Sequence, residues 1–330
     1  MLTKGIIYVY GILSANQKRD QSMKKALSVS IGSSKRDKSV FIKLLGQDVH
    51  IQRIGTNGDM NAAREMYREQ DGKVDAFGVG GTDLGLLVDK KWYPLHSVLP
   101  LVQDVHQTPV VDGCGLKNTV ETQSAHILDM KIGGYLDKIG RRALVMTAVD
   151  RYGLLRSFVD AGYECLFGDI LFSLGIPLPI RRERGVKTLA ALLIPIISRL
   201  PFKWVYPVGE SQHQRKPKYG WAFEQSSVIA GDCHYITRYM PDNMQGKVIV
   251  TNTTTTRDVD LFKRAGVKYL MTTTPVYEGR SFGTNMMEAG LLAAVGYKEK
   301  VDYRNHQDYF KMIAGLVEDA KLQPQLQVLN

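Results

Sequence analysis

The stretch that most constrains this chain is residues 142–169, R-A-L-V-M-T-A-V-D-R-Y-G-L-L-R-S-F-V-D-A-G-Y-E-C-L-F-G-D. Residues 143–149 are a short apolar run of strand length, which suits a parallel strand buried on both faces. A helix is predicted from about Tyr152, with Leu154, Leu155, Phe158 and Ala161 on one side. Gly162 stands where a helix C-terminal glycine belongs. Residues 163–167 read as a second strand, closed by Gly168-Asp169. Strand, tight turn, helix and strand in this order form the opening βαβ unit of a nucleotide-binding α/β domain.

In a dinucleotide-binding unit, G-x-G-x-x-G crosses the first turn and an acid about 20 residues further on binds the ribose hydroxyls. Asp169 is in that position, and its charge would favour NAD over NADP by repelling a 2′-phosphate. The matching hexad is Ala148-Val149-Asp150-Arg151-Tyr152-Gly153. Only its third glycine, Gly153, survives, the one that lets helix pack closely on strand. Asp150 stands where the backbone should approach a pyrophosphate, and a carboxylate there repels phosphate unless Arg151 or a cation offsets it. Two readings stay open: the cofactor is held differently, or the fold is kept and the dinucleotide lost.

The rest of the chain continues an α/β grammar. Residues 26–31 form a strand entering Gly32-Ser33-Ser34, and 40–45 with 49–54 form a hairpin around Gly46-Gln47-Asp48. Asp59 or Asn57 caps a helix carrying Met60, Ala63, Met66 and Tyr67 on one face. A strand at 74–79 opens into Gly80-Gly81-Thr82-Asp83, and a helix over 96–105 leads to a strand at 109–111. A helix over 120–139 connects the halves. In the second half, three strands end in polar residues: Gly231-Asp232, then 251–254 (T-N-T-T), then 272–275 (T-T-T-P). Ligands of doubly wound sheets bind at the carboxyl ends of strands. Gly231, Asp232, Asn252 and Thr253 therefore join Ala148, Asp150, Arg151, Gly153 and Asp169 as cofactor-binding candidates. Helices are expected over 257–265, capped by Thr255 or Thr256, over 284–295, capped by Thr284 or Asn285, and over 307–320, followed by a loose tail. The resulting organisation is an extension (1–22), an N-terminal α/β domain (23–125), a Rossmann-like doubly wound parallel-sheet domain (126–296), and a C-terminal helix and tail (297–330).

Composition narrows the setting. At 330 residues the chain has room for two domains with cores of their own, and 44% apolar with 23% charged residues is an ordinary globular balance. Three widely spaced cysteines, Cys114, Cys165 and Cys233, argue against a disulfide framework or a zinc site and fit a reducing cytoplasm. The net charge of +10 comes from scattered residues and short clusters without interleaved aromatics, so no nucleic-acid platform is predicted. The apolar run over 189–197 is too short to span a membrane and is assigned to a core or to an interface, where it would make a homodimer surface. Residues 1–22 faintly resemble a signal peptide without a clear cleavage site and read better as an extension.

Five stretches, V-S-I-G-S-S-K-R-D, V-D-A-F-G-V-G-G-T-D, T-P-V-V-D-G-C-G-L-K-N-T, F-G-D-I-L-F-S-L-G-I-P-L-P-I and E-G-R-S-F-G-T-N, make the chain look like bacterial proteins that carry the name quinate 5-dehydrogenase. The order of domains also resembles the shikimate dehydrogenase architecture. That resemblance implies hydride transfer between NAD(P) and a ring hydroxyl of a small anionic, polyhydroxy substrate. Shikimate dehydrogenases carry S-x-S-P, V-T-x-P-x-K and N-T-D; the first two are absent, and Val120 stands where the third has its aspartate. For proton transfer, Lys117 is the lysine best placed beyond a strand end, with Asp83 as the matching acid. His96, His106 and His126 read as structural, and His213 and His234 rank below Lys117. Two other functions compete: a non-catalytic or regulatory ligand-binding protein on a dehydrogenase-like frame, and an enzyme using another nucleotide or nucleotide-sugar.

Overall fold

The computed structural model describes residues 23–200, 215–277 and 279–330. The extension over 1–22, a strand expected at Trp204-Val205-Tyr206, and His213 lie outside the described residues. The first sheet uses β1 (Lys24–Ser30), β2 (Lys38–Leu44), β3 (Gln47–Gly55), β4 (Ala76–Gly80) and β7 (Val110–Val111) in the order β2-β3-β1-β4-β7. A side hairpin, β5 (Gly85–Val88) and β6 (Lys91–Pro94), follows β4. β2 and β3 are antiparallel; β3, β1, β4 and β7 run parallel. The β2–β3 turn places Leu45 and Gly46 at φ 53° and 77°, as a two-residue hairpin whose twist matches its strands requires. Helix α1 (Met60–Gln70) starts at Asp59, whose carboxylate accepts from the N–H of Asn61 and Ala62.

The chain then runs through α2 (Cys114–Lys117), α3 (Ser124–Ile139), β8 (Arg142–Val145), α4 (Tyr152–Asp160), β9 (Glu164–Phe167), α5 (Glu183–Ile197) and α6 (Gly220–Gln225). It continues with β10 (Val228–Gly231), α7 (Cys233–Tyr239), β11 (Val248–Thr251), α8 (Thr256–Arg264), β12 (Tyr269–Thr272), the hairpin β13 (Val276–Tyr277) and β14 (Arg280–Ser281), α9 (Thr284–Val295), α10 (His306–Asp319) and β15 (Gln325–Val328). The second sheet is ordered β15-β12-β11-β10-β8-β9, parallel except for β15. The protein is thus an α/β fold with a small mixed N-terminal sheet and a Rossmann-like, mostly parallel sheet of six strands.

Helix α9 returns to the first sheet. Met286, Met287, Ala289, Leu291 and Leu292 share a core with Val49, Ile51, Ala76 and Val111, and Tyr309, Ile313 and Val317 of α10 close it. The segment 284–295, expected with the second sheet, therefore packs against the first. Three other expectations differ. The helix over 96–105 is only a short turn at Leu99–Val102, because Pro100 falls in its first positions, where no N–H is needed, and could not supply the backbone donor that the interior of a longer helix requires. Strand β8 stops at Val145, and residues 146–150 form a turn. The tail is not loose: Gln325-Leu326-Gln327-Val328 alternates as a strand should and pairs antiparallel with β12. No helix among the described residues is long and apolar enough to cross a membrane.

In each sheet the chain leaves its first strand to one side and then crosses to the other, so β1 lies between β3 and β4, and β8 between β9 and β10. Crevices open at the carboxyl ends of such strands. Residues from both sets of ends, Ser30, Gly80, Asp150, Asp232 and Asn252 among them, line one shared cleft of about 370 Å³.

Candidate functional site

Lys117 ends α2, a single helical turn that begins after Gly113 in the left-handed region, φ 93°. Its ammonium lies 2.7 Å from Asp83 Oδ1, beyond β4, and 2.7 Å from Asp150 Oδ1, in the turn beyond β8. One buried cation therefore joins loops of both sheets. Burial works against the Lys117 charge, but Asp150 and Asp83 together more than offset it, so the ammonium holds its proton more tightly than an ordinary lysine. The two carboxylates diverge. Burial, opposed by Lys117, pushes Asp83 well above the carboxylate range; for Asp150 burial is overcome by Lys117 and Arg151, and it falls below that range. Their side chains remain 16% and 29% exposed, open to the cleft.

Behind them sits a second ionic cluster. The guanidinium of Arg151 pairs with Glu121 Oε1 at 2.5 Å and reaches Asp150 and Asp232 at 3.4 Å each. Asn252 Nδ2 donates to Asp232 at 3.3 Å, and the Asp232 side chain caps α7 by accepting from His234 N at 2.9 Å. Cys233 thus opens α7, and its thiol is buried, with its pKa raised by that burial.

The turn bearing Lys117 is braced from two directions. Asp112 accepts from the N–H of Leu84 at 2.8 Å and of Cys114 at 3.0 Å, tying the Asp83 loop to α2. Glu288 of α9, fully buried, accepts from Leu116 N at 3.0 Å and from the hydroxyl of Tyr309 at 2.7 Å. Gly153 lets α4 approach this turn: a Cβ there would stand 1.8 Å from the Lys117 carbonyl oxygen. The third glycine of the hexad therefore serves contact with Lys117. Gly81, at φ 75°, lies where a Cβ would come within 2.9 Å of Gly32 N, so the floor of the cleft has no room for a side chain.

Of the residues singled out from sequence, Asp83, Lys117, Asp150, Arg151, Asp232, His234, Asn252 and Thr253 line the cleft together. Ala148, Gly153, Gly231 and Asp169 do not. Asp169 is placed differently from expectation: its carboxylate is buried and accepts from the N–H of Ala148 at 3.1 Å and Val149 at 2.9 Å, bracing the turn from inside instead of facing a ribose. Sequence reasoning missed Glu121, Asp112, Arg36, Lys38 and Arg53. Asp112 followed the same signal as Asp83, an acid just past a strand; Arg53 lies in a strand where its neighbours gave no such signal.

The geometry defines a two-sheet α/β protein with a charged, acid-lined cleft between a Rossmann-like sheet and a smaller one. Residues 115–329 match the family model described as Domain of unknown function (DUF8754), and the chain belongs to that family. Residues 25–112 match the model described as Domain of unknown function (DUF8753). No curated protein matches the chain. Among solved structures, the chain is similar to a malic enzyme from Entamoeba histolytica, at 12% identity and TM-score 0.39, over 94% of this chain and 66% of that one. It is similar to an NAD-dependent malic enzyme from Thermotoga maritima, at 12% identity and TM-score 0.35, over 92% of this chain and 80% of that one. It is also similar to a glucose-galactose binding protein from Geobacillus stearothermophilus, at 9% identity and TM-score 0.34, over 93% and 98%. The chain thus spans just under two thirds of the first of these, and likenesses this distant carry nothing about ligand or reaction.

Proposed function

We propose that the cleft binds a small polyhydroxy acid of the quinate or shikimate kind, and that Asp83, Lys117 and Asp150 manage the proton of one of its hydroxyls. The observation that carries this reading is the Lys117 ammonium held 2.7 Å from each carboxylate, where the strand ends of both sheets meet. Paired carboxylates in unequal environments take unequal roles. Asp150, beside both Lys117 and Arg151, stays charged and fixes the ammonium. Asp83, raised by burial, is the stronger base and takes or returns the proton, while Lys117 donates a hydrogen bond to the substrate oxygen. This reverses the simplest assignment, in which Lys117 moves the proton and Asp83 orients it.

An oxidoreductase of this kind would use NAD or NADP. The residues of the first turn do not fit a pyrophosphate: the N–H groups of Ala148 and Val149 already donate to Asp169, and Asp150 adds a carboxylate at the mouth. No hydride step is therefore assigned to this chain. The closed turn favours the second reading, a non-catalytic or regulatory protein that binds the same ligand on a dehydrogenase-like frame.

Thermal melting with quinate, shikimate, NAD, NADP, ATP and UDP-sugars tests both. A ligand at about 100 times its dissociation constant adds about 2.7 kcal/mol. A shift with either acid supports the cleft assignment, and its absence with both sinks it. Turnover of a dinucleotide in the presence of the acid selects the oxidoreductase; binding without turnover selects the second reading. A shift with ATP or a UDP-sugar alone points to another nucleotide.

A further inference from the structure

The cleft is electrically two-ended. One side holds Asp83, Asp112, Asp150 and Asp232 with Lys117, Arg151 and Arg238. The wall contributed by the loop after β1 and by β2 and β3 carries Arg36, Lys38 and Arg53, with Asp37 beside them. Arg53 is fixed in place: Nη1 donates to Asp37 at 2.7 Å and to Ser33 O at 3.1 Å, and Nη2 to Ser30 Oγ at 2.8 Å. Lys38 Nζ lies over the Phe282 ring at 5.0 Å. Arg36 differs: its Nη2 is shielded from solvent and has no hydrogen-bond partner among the described residues. A guanidinium nitrogen held like this is expensive unless an acceptor arrives. The neighbouring charges also oppose one another. Burial first and Arg36 next lower the Arg53 pKa to about 10, with Asp37 only partly restoring it. An anion between the two guanidiniums would relieve that repulsion, and the planar fork of arginine suits a carboxylate or a phosphate. Thr253, Thr254 and Thr255 border the same cleft from the second sheet.

We propose that the Arg36–Lys38–Arg53 wall seats the anionic group of the ligand, a carboxylate or a phosphate ester, and so orients its hydroxyls toward Asp83 and Lys117. The inference rests on the polyhydroxy-acid reading for the hydroxyl end only; the anion seat stands on its own residues. It also favours one polarity, because a ligand placed the other way round sets its anion beside four carboxylates that Lys117, Arg151 and Arg238 do not fully offset.

The test is calorimetric titration of the full chain with quinate, its uncharged methyl ester, inorganic phosphate and acetate. Wild type is expected to bind quinate at least tenfold more tightly than the ester, with phosphate or acetate competing. Acetate competing better than phosphate identifies a carboxylate seat, and the reverse a phosphate seat. Arg36→Gln should abolish the preference for quinate and the competition, with affinity for the ester retained and a melting temperature no lower than that of wild type. Arg36→Lys, which keeps charge but loses the fork, should fall between. Equal binding of the anions to wild type and Arg36→Gln, or no anion binding to wild type, overturns the proposal. If phosphate binds through Arg36 but neither quinate nor its ester binds, the anion seat stands and the polyhydroxy-acid reading falls.

Discussion

Gly153 and Lys117 are coupled through bare backbone, and the coupling sets a sharp expectation. With the Lys117 carbonyl 1.8 Å from where a Cβ would sit, Gly153→Ala must push α4 off the site turn. It should lose at least about 3 kcal/mol in urea unfolding, the upper end for overpacking. Lys117→Met leaves Asp83 and Asp150 facing each other without their cation. Breaking a buried pair typically loses about 3–5 kcal/mol, and the cleft-side exposure of both acids puts this case near about 3 kcal/mol. Asp83→Asn should instead keep ligand affinity within a few-fold and remove turnover, if the proton passes through that carboxyl. Two further buried acids act with Asp83 on how stability follows pH. Burial raises Asp169 to about 6 and Glu288 to about 7. Their folded pKa values lie above the unfolded ones, so the folded state binds these protons more tightly. That stabilisation is complete below the unfolded values, about 4, and disappears as pH rises through about 6 and about 7. The urea midpoint should therefore be higher at about pH 5 than at about pH 8, and Glu288→Gln should shrink the difference. An unchanged slope in that variant would show that Glu288 is ionised throughout.

At the scale of elements, local signals and distant partners divide the work. Thr255 illustrates the first. Its side chain accepts from Asp258 N and its own N–H donates to the Asp258 carboxylate, a full capping box that opens α8. Thr255→Ala should reduce stability by about 1 kcal/mol in chemical denaturation. Such features were legible: the βαβ grammar, the β2–β3 hairpin, the Asp59 cap and the polar strand ends all follow from spacing within a few residues. The short run at 325–328 was missed because an edge strand of four residues gains its order from β12, which sequence distance hides. A helix over 96–105 does not form because it would put Pro100, which lacks an N–H, in its interior. The site was half legible for the same reason. Asp83, Lys117 and Asp150 were each visible as polar residues past strand ends, but that one ammonium would bridge both acids is a fact of how two sheets face each other. Asp169 fits a ribose ligand by position, while the turn it closes has no glycines to offer its amides outward and donates them to this carboxylate instead.

Taken whole, the molecule is not two beads on a string. The cleft lies between sheets, yet the core of the first sheet is finished by α9 and α10, which the chain supplies after the second sheet has been laid down through β12. Gly290 meets Ile51, and the backbone of Asn285 comes so close to Gly78 that a Cβ there would stand 2.8 Å from its carbonyl oxygen. A chain truncated after Gly283 should consequently keep the hydrogen-exchange protection of β8, β10 and β11 and lose that of β1, β3 and β4. Equal protection in both sheets would refute it. In the cell this arrangement becomes a matter of timing. Translation delivers β4 about 200 residues before the end of α9, an interval of ~10–40 s at 5–20 residues per second. Throughout it, the nascent chain carries an apolar sheet face whose cover has not yet been made, so the part synthesised first must be kept from sticking until the part synthesised last arrives.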